Sequence, residues 1–170
     1  MTGKVLMTAG LAGVLCLSAW AQDNSRFEAG LKGGAGQYSY IDDSSNTRGV
    51  VGVEVCAYCA GRFALFGGFS HFTPPVARSG YQAADLVEGG LRIQGRRLVR
   101  PFLDVGVAVG QSRHSWGDGT RAFTTAGAAL GAGVMIPVGP HLYVRPQARL
   151  YIMSQQYFAV AGEIGLGWRF

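Results

Sequence analysis

The feature that most constrains this chain is a two-residue alternation. Bulky apolar residues on one parity face small or charged residues on the other. In Tyr157 to Phe170 the even positions carry Phe158, Val160, Gly162, Ile164, Leu166, Trp168 and Phe170. The odd positions carry Tyr157, Ala159, Ala161, Glu163, Gly165, Gly167 and Arg169. Period two belongs to a strand, whose successive side chains point to opposite faces. From His141 to Met153, Leu142, Val144, Pro146, Ala148, Leu150 and Ile152 oppose Tyr143, Arg145, Gln147, Arg149 and Tyr151. The split recurs in Arg26 to Tyr40, Gly49 to Tyr58, Ala83 to Gln94 and Pro101 to Ser112. It is less clean in Arg62 to Phe72 and Phe123 to Val138, which hold few charges and much Gly and Ala. Glycine recurs inside nearly every segment, which argues against helix.

The charges on the small-residue parity decide which face points inward. Acids there are Glu28, Glu54, Glu88, Asp104 and Glu163. Bases are Lys32, Arg92, Arg145, Arg149 and Arg169. Five balance five. A soluble barrel would wet this face and crowd it with Lys, Glu, Thr and Ser. Here it is mostly Gly and Ala, with one or two charges per segment. Small residues suit the inside of a narrow eight-stranded barrel. Matched charges suit a confined interior, where an unpaired charge costs several kcal/mol, roughly. The polar face is therefore expected inside, as a salt-bridged lumen. The apolar face is expected against lipid, where a midplane charge would cost about 2–4 kcal/mol.

These segments number eight, each about long enough for a tilted membrane strand of roughly 9–11 residues. Tight connections, CAGR and VGPH, alternate with longer polar ones, IDDSSNTR, TPPVARSGYQ and RHSWGDGTR. GRRLVR is intermediate and SQQ is short. Short turns at one end and longer loops at the other are the layout of a membrane barrel. With an even strand count both termini fall at the short-turn end.

The chain opens on a secretory signal. Lys4 supplies a positive charge, Val5 to Leu17 is mostly apolar, and Ala19-Trp20-Ala21 is a small-x-small cleavage site. The apolar run is short for a membrane helix. Residues 1–21 are therefore expected to be removed, leaving one domain over residues 22–170. The full chain has 15 Lys and Arg against 10 Asp and Glu. That mild excess is scattered, with no basic stripe, so nucleic acid is not an expected partner.

The terminal Phe170, with Trp168, Leu166 and Ile164 at every second position, resembles the C-terminal signature of bacterial outer-membrane proteins. Together with the signal and the alternation, it makes the chain similar to OmpA/OmpX-type eight-stranded outer-membrane barrels. The resemblance implies an all-β, eight-stranded, antiparallel up-and-down transmembrane β-barrel in the outer membrane of a Gram-negative bacterium. It implies that Ile164, Leu166, Trp168 and Phe170 are read by the outer-membrane insertion machinery. Partners are then that machinery and outer-membrane lipids, both termini are periplasmic, and the barrel is a monomer.

Chemistry is sparse. Cys56 and Cys59 form CAYC at the end of a strand-like run, where a redox CxxC would open a helix. A structural disulfide suits an exported chain. No further mature cysteine completes a four-thiolate zinc site. Ser70-His71 and the SRHSWGD stretch, with Ser112, His114, Ser115 and Asp118, hold residue types of nucleophilic catalysis. They match no enzyme spacing, so no catalytic residue, metal or cofactor is expected. Arg48, Arg78, Arg113 and Arg121 fall at the outer end and are candidates for lipopolysaccharide phosphates, which guanidinium binds bidentately. Arg96, Arg97 and Arg100 are placed near inner-leaflet headgroups. The expected function is a non-enzymatic structural or surface-interaction role with a plugged lumen. The alternatives are a narrow pore for small solutes, a lipid A-modifying enzyme, and a soluble secreted binding barrel.

Overall fold

A computed structural model describes residues 27–40, 47–59, 61–74, 81–96, 98–116, 119–154 and 157–170. The strands are β1 (Glu28–Tyr40), β2 (Thr47–Ala57), β3 (Phe63–Phe72), β4 (Tyr81–Gln94), β5 (Arg100–Trp116), β6 (Gly119–Pro137), β7 (Leu142–Met153) and β8 (Tyr157–Arg169). Each pairs antiparallel with the next, and β8 pairs back to β1, closing the barrel. Residues 1–21, Arg78, Arg97 and Asp118 lie outside the described residues.

Following the ladder once round the barrel gives its stagger. Glu28 faces Cys56, Cys56 faces Phe66, and Phe66 faces Gly90. The path continues through Gly106, Ala129, Tyr151 and Ala159 and returns to β1 at Tyr38. The return is displaced by 38 − 28 = 10 residues. A stagger of that size tilts the strands against the barrel axis, and eight strands leave an interior that side chains can fill.

The two parities divide as the alternation predicts. On β8, Ala159, Ala161, Glu163, Gly165 and Gly167 are buried, and Val160, Ile164, Leu166 and Trp168 are exposed. The outward face forms a belt that includes Leu31, Val53, Leu65, Leu91, Val105 and Val107, all exposed. Exposed apolar surface on this scale exceeds what a soluble monomer carries and fits a hydrocarbon surrounding. The belt ends at a polar cross-strand row of His71, Asp85, Gln111 and Thr124. His71 Nδ1 and Asp85 Oδ1 are 2.7 Å apart on this outer face. At the opposite rim Phe27 packs on Phe170 at 6.0 Å, which puts both ends of the described chain together.

Inner-face glycines let the strands close. A Cβ on Gly34 would run into the carbonyl of Gly162 on β8. Gly34 and Gly36 of LKGGAG thus serve close backbone approach.

One boundary differs from the sequence reading. RHSWGDGTR is not a loop, because pairing continues through Ser112↔Phe123, Arg113↔Ala122, His114↔Arg121, Ser115↔Thr120 and Trp116↔Gly119. The ladder runs on beyond the apolar belt, and Arg113, Arg121 and Ala122 on it are exposed. Gly119, with φ of 146°, restarts β6 in a conformation that side-chain-bearing residues rarely adopt.

Substituting Val107→Arg on the outward face is expected to cost about 2–4 kcal/mol. Denaturant titration of the protein folded into vesicles measures this. A cost near zero would mean that the apolar belt does not face lipid.

Candidate functional site: the charged lumen

The interior is layered. Its middle layer is a charge network drawn from six strands. β2 supplies Glu54, β4 supplies Glu88 and Arg92, and β5 supplies Asp104. β7 supplies Arg145 and Arg149, β1 Lys32 and β8 Glu163. Four acids meet four bases, and all eight residues are buried.

Glu54 is the hub. Its Oε1 accepts from Arg92 Nη2 and lies 2.6 Å from Arg145 Nη1. Its Oε2 accepts from Arg149 Nη2 at 2.7 Å. Because β2 and β7 are not neighbours in the sheet, the bonds to Arg145 and Arg149 cross the lumen. Arg92 also grips Asp104 with two parallel bonds, Nε to Oδ1 and Nη2 to Oδ2, both 2.7 Å. This fork geometry is what guanidinium offers and ammonium cannot. Arg149 Nη2 lies 2.8 Å from Asp104 Oδ2. Lys32 Nζ donates to Glu88 Oε1 at 3.0 Å and stands 3.5 Å from Glu163 Oε2. Gln147 Nε2 donates to the same Glu163 oxygen at 2.6 Å. Glu163 thus meets a lysine and an amide rather than an arginine.

Aromatic rings and glycine supply shape around this layer. Phe66 of β3 lies under Arg149 at 5.0 Å, and Phe102 of β5 lies under Arg92 at 4.3 Å. Such stacking satisfies the guanidinium faces, which accept no hydrogen bond. Gly131 of β6 leaves room for Arg149, whose Nη1 would stand 2.7 Å from a Cβ there.

Towards the longer-loop end the lumen holds an apolar cluster, with Arg48, Ser70, Ser112 and Thr125 also buried. Tyr38, Val50, Phe72, Leu86, Tyr151 and Met153 form one buried cluster. Tyr38 OH and Thr125 Oγ1 are 3.2 Å apart within this layer. Arg48 is only 3% exposed, with its guanidinium 6.0 Å from the Tyr38 ring centre. The sequence reading placed it outside, yet 48 shares the inward parity of Glu54. Arg113 and Arg121 are exposed at this end.

Towards the short-turn end, Phe102, Met135 and Tyr143 form a second apolar cluster. Beside it Glu28 Oε1 accepts from Arg169 Nε at 2.7 Å and Arg100 Nη2 at 3.4 Å. Arg100 is thereby turned inward, away from the headgroups it was expected to meet. Cys56 and Cys59 are joined by a disulfide, both buried. The bond brackets Tyr58, a bulky residue at φ of 61°, and Gly61 N donates to Tyr58 O at 3.1 Å. Gln94 Nε2 donates to the carbonyls of Cys59 and Gly61, and Arg100 Nη1 to that of Cys59 at 3.2 Å. The turn is therefore tied over the barrel mouth.

Among the described residues, the serine and histidine candidates do not converge. Ser70 is fully buried in the lumen, and His71 lies on the opposite face with Asp85. Ser112 is also buried inside. Glu28, Cys56 and Cys59 have donor atoms within 4.8 Å of one another. Both sulfurs are bonded to each other in the disulfide and are no thiolate ligands, so the group does not fit a metal ion.

A closed eight-stranded barrel with an apolar exterior and a charged, filled interior is a membrane-spanning outer-membrane barrel. Comparison places it more closely. The family model for the outer membrane protein beta-barrel domain matches residues 7–170, and the chain belongs to that family. It is similar in fold to neisserial surface protein A, with TM-score 0.72 and 10% identity over 85% of this chain and 97% of that one. It is also similar to the N-terminal barrel domain of Pseudomonas aeruginosa OprF, with TM-score 0.65, 13% identity, and coverage of 86% and 98%. A third similar structure is the Yersinia pestis attachment invasion locus protein Ail, with TM-score 0.63, 13% identity, and coverage of 86% and 97%. No match was found among curated proteins.

Glu54→Gln is expected to cost about 3–5 kcal/mol, because it leaves buried arginines under-compensated. Asp85→Asn, at the half-exposed His71 pair, is expected to cost about 1 kcal/mol or less. Denaturant midpoints of the two variants in the same vesicles make the comparison. Equal effects would mean that the interior is wet.

Proposed function

We propose that the protein is a non-catalytic outer-membrane barrel whose lumen is sealed and whose work is done at its surfaces. The carrying observation is the three-layer interior. Packed aromatic and aliphatic clusters lie on both sides of the charged layer, and that layer is already paired. A pore needs a continuous wet path, and eight strands leave little room for one. The proposed roles are structural support and surface interaction. Ile164, Leu166, Trp168 and Phe170 suit recognition by the insertion machinery, since all four lie on the outward face and are exposed.

The proposed orientation puts the short turns and both termini in the periplasm, after cleavage behind Ala21. The polar row of His71, Asp85, Gln111 and Thr124 then marks the outer headgroup level, with Arg113 and Arg121 exposed in the same region. These two arginines and Arg78 remain the candidates for lipopolysaccharide phosphate. Buried Arg48 does not.

Planar-bilayer recording of the purified barrel is expected to show no steady conductance. Open channels of uniform size in the wild type would overturn the sealed-lumen reading in favour of the pore. For orientation, Ser79→Cys is expected to react with a membrane-impermeant maleimide on intact cells, and Gly139→Cys only after lysis. The reverse pattern would invert the barrel.

A further inference from the structure

We infer that the short-turn rim carries a binding site for an anionic glycerophospholipid, built around Arg62 and Arg96. The observation is a concavity of about 620 Å³ lined by Arg62, Ile93, Gln94, Gly95, Arg96 and Pro101. Two ladder-like bonds shape it. Gln94 N donates to Arg62 O at 2.9 Å, and Gly95 N to Pro101 O at 2.8 Å. Three chain segments, the lead-in to β3, the end of β4 and the start of β5, are thereby held side by side.

The two cations are available. Arg62 and Arg96 are exposed, and neither guanidinium has an ion pair or hydrogen bond among the described residues. Arg100 is committed to Glu28 and the Cys59 carbonyl. The CAGR, GRRLVR and VGPH connections themselves contain no acid. Guanidinium groups with free donors at a membrane boundary are receptors for phosphate oxygens.

The wall beside the cations selects a lipid over a free anion. Phe63, Ile93 and Leu103 are directly cross-strand from one another and all exposed on the outward face. The next outward row, Leu65, Leu91 and Val105, lies two residues further along each strand towards the belt. A bound amphiphile would set its phosphate between Arg62 and Arg96 and its acyl chains along these rows. Leu98, 81% exposed on the adjoining turn, would enter the interface beside it. The site rests on the membrane-spanning barrel and not on the sealed lumen, so conductance results leave it untouched.

The test is native mass spectrometry of the folded mature protein in detergent, with phosphatidylglycerol or phosphatidylcholine added. The wild type is expected to retain one phosphatidylglycerol in preference to phosphatidylcholine. The double variant Arg62→Ala, Arg96→Ala is expected to retain it roughly thirtyfold less. The lysine pair Arg62→Lys, Arg96→Lys should recover part of the retention, and Thr124→Ala at the opposite rim should change nothing. A heat-dependent gel shift checks that each variant is folded. Three outcomes overturn the proposal. They are no lipid retained by the wild type, equal retention by the folded double variant, and displacement by excess inorganic phosphate regardless of acyl chain length. The last would assign the arginines to a free anion.

Discussion

The structure depends on one constraint. Charges confined in a narrow, dry lumen must be compensated by other charges in the same lumen. Glu54 shows how far this reaches. It takes three arginines from two strands on opposite sides of the barrel, so its position fixes the approach of β2 to β4 and to β7 at once. The inner face must then be small elsewhere, because each arginine fills the cross-section beside it. Gly131 next to Arg149 is the direct case. The aromatic rings at Phe66 and Phe102 follow from the same demand, since a guanidinium buried without a partner for its face loses solvation on both sides.

A buried ion pair is weak evidence for stability, because well-packed apolar residues in its place are often neutral or better. Its value here is register. A strand slipped by one residue exchanges its faces. For β7 that slip would put Arg145 and Arg149 into hydrocarbon and Leu150 and Ile152 into the lumen. Each misplaced charge would cost about 2–4 kcal/mol at the midplane. An apolar lumen would make both faces alike and lose that discrimination. The charges thus specify the single closed ladder with its ten-residue stagger.

Much of this was legible because parity is a rigid property of a strand. Once Glu163 is placed inside, so are Arg169 and Ala159, with no further information. The errors came from stopping the count at apparent boundaries. Arg48 follows a polar stretch and looks like a loop residue, yet 48, 50, 52, 54 and 56 share one parity. Arg100 likewise shares parity with Phe102 and Asp104. Carrying the alternation two residues further would have put both inside. Other features had no such signal. β3 carries aromatics on both faces, Phe66 and Phe72 inward, Phe63 and Phe69 outward, so its pattern is mute. The length of the β5–β6 hairpin was hidden because pairing outside the membrane does not require apolar residues.

A sealed lumen moves the question of function to the outside of the barrel, and there the two rims differ in kind. The longer-loop rim mixes signs: Asp42, Asp43, Asp85 and Asp118 accompany Arg78, Arg113 and Arg121. The short-turn connections carry Arg62, Arg96 and Arg97 with no acid. Glu28, the acid that lies nearest that rim, is turned inward and held by Arg100 and Arg169. Pairing inside the mouth therefore turns the Glu28 carboxylate away from the rim outside it. The lumen that blocks passage and the rim that faces the lipid headgroups are set by the same inward turn of Glu28. Fold likeness at 10–13% identity fixes neither, since function resides in such sites and not in the barrel that carries them.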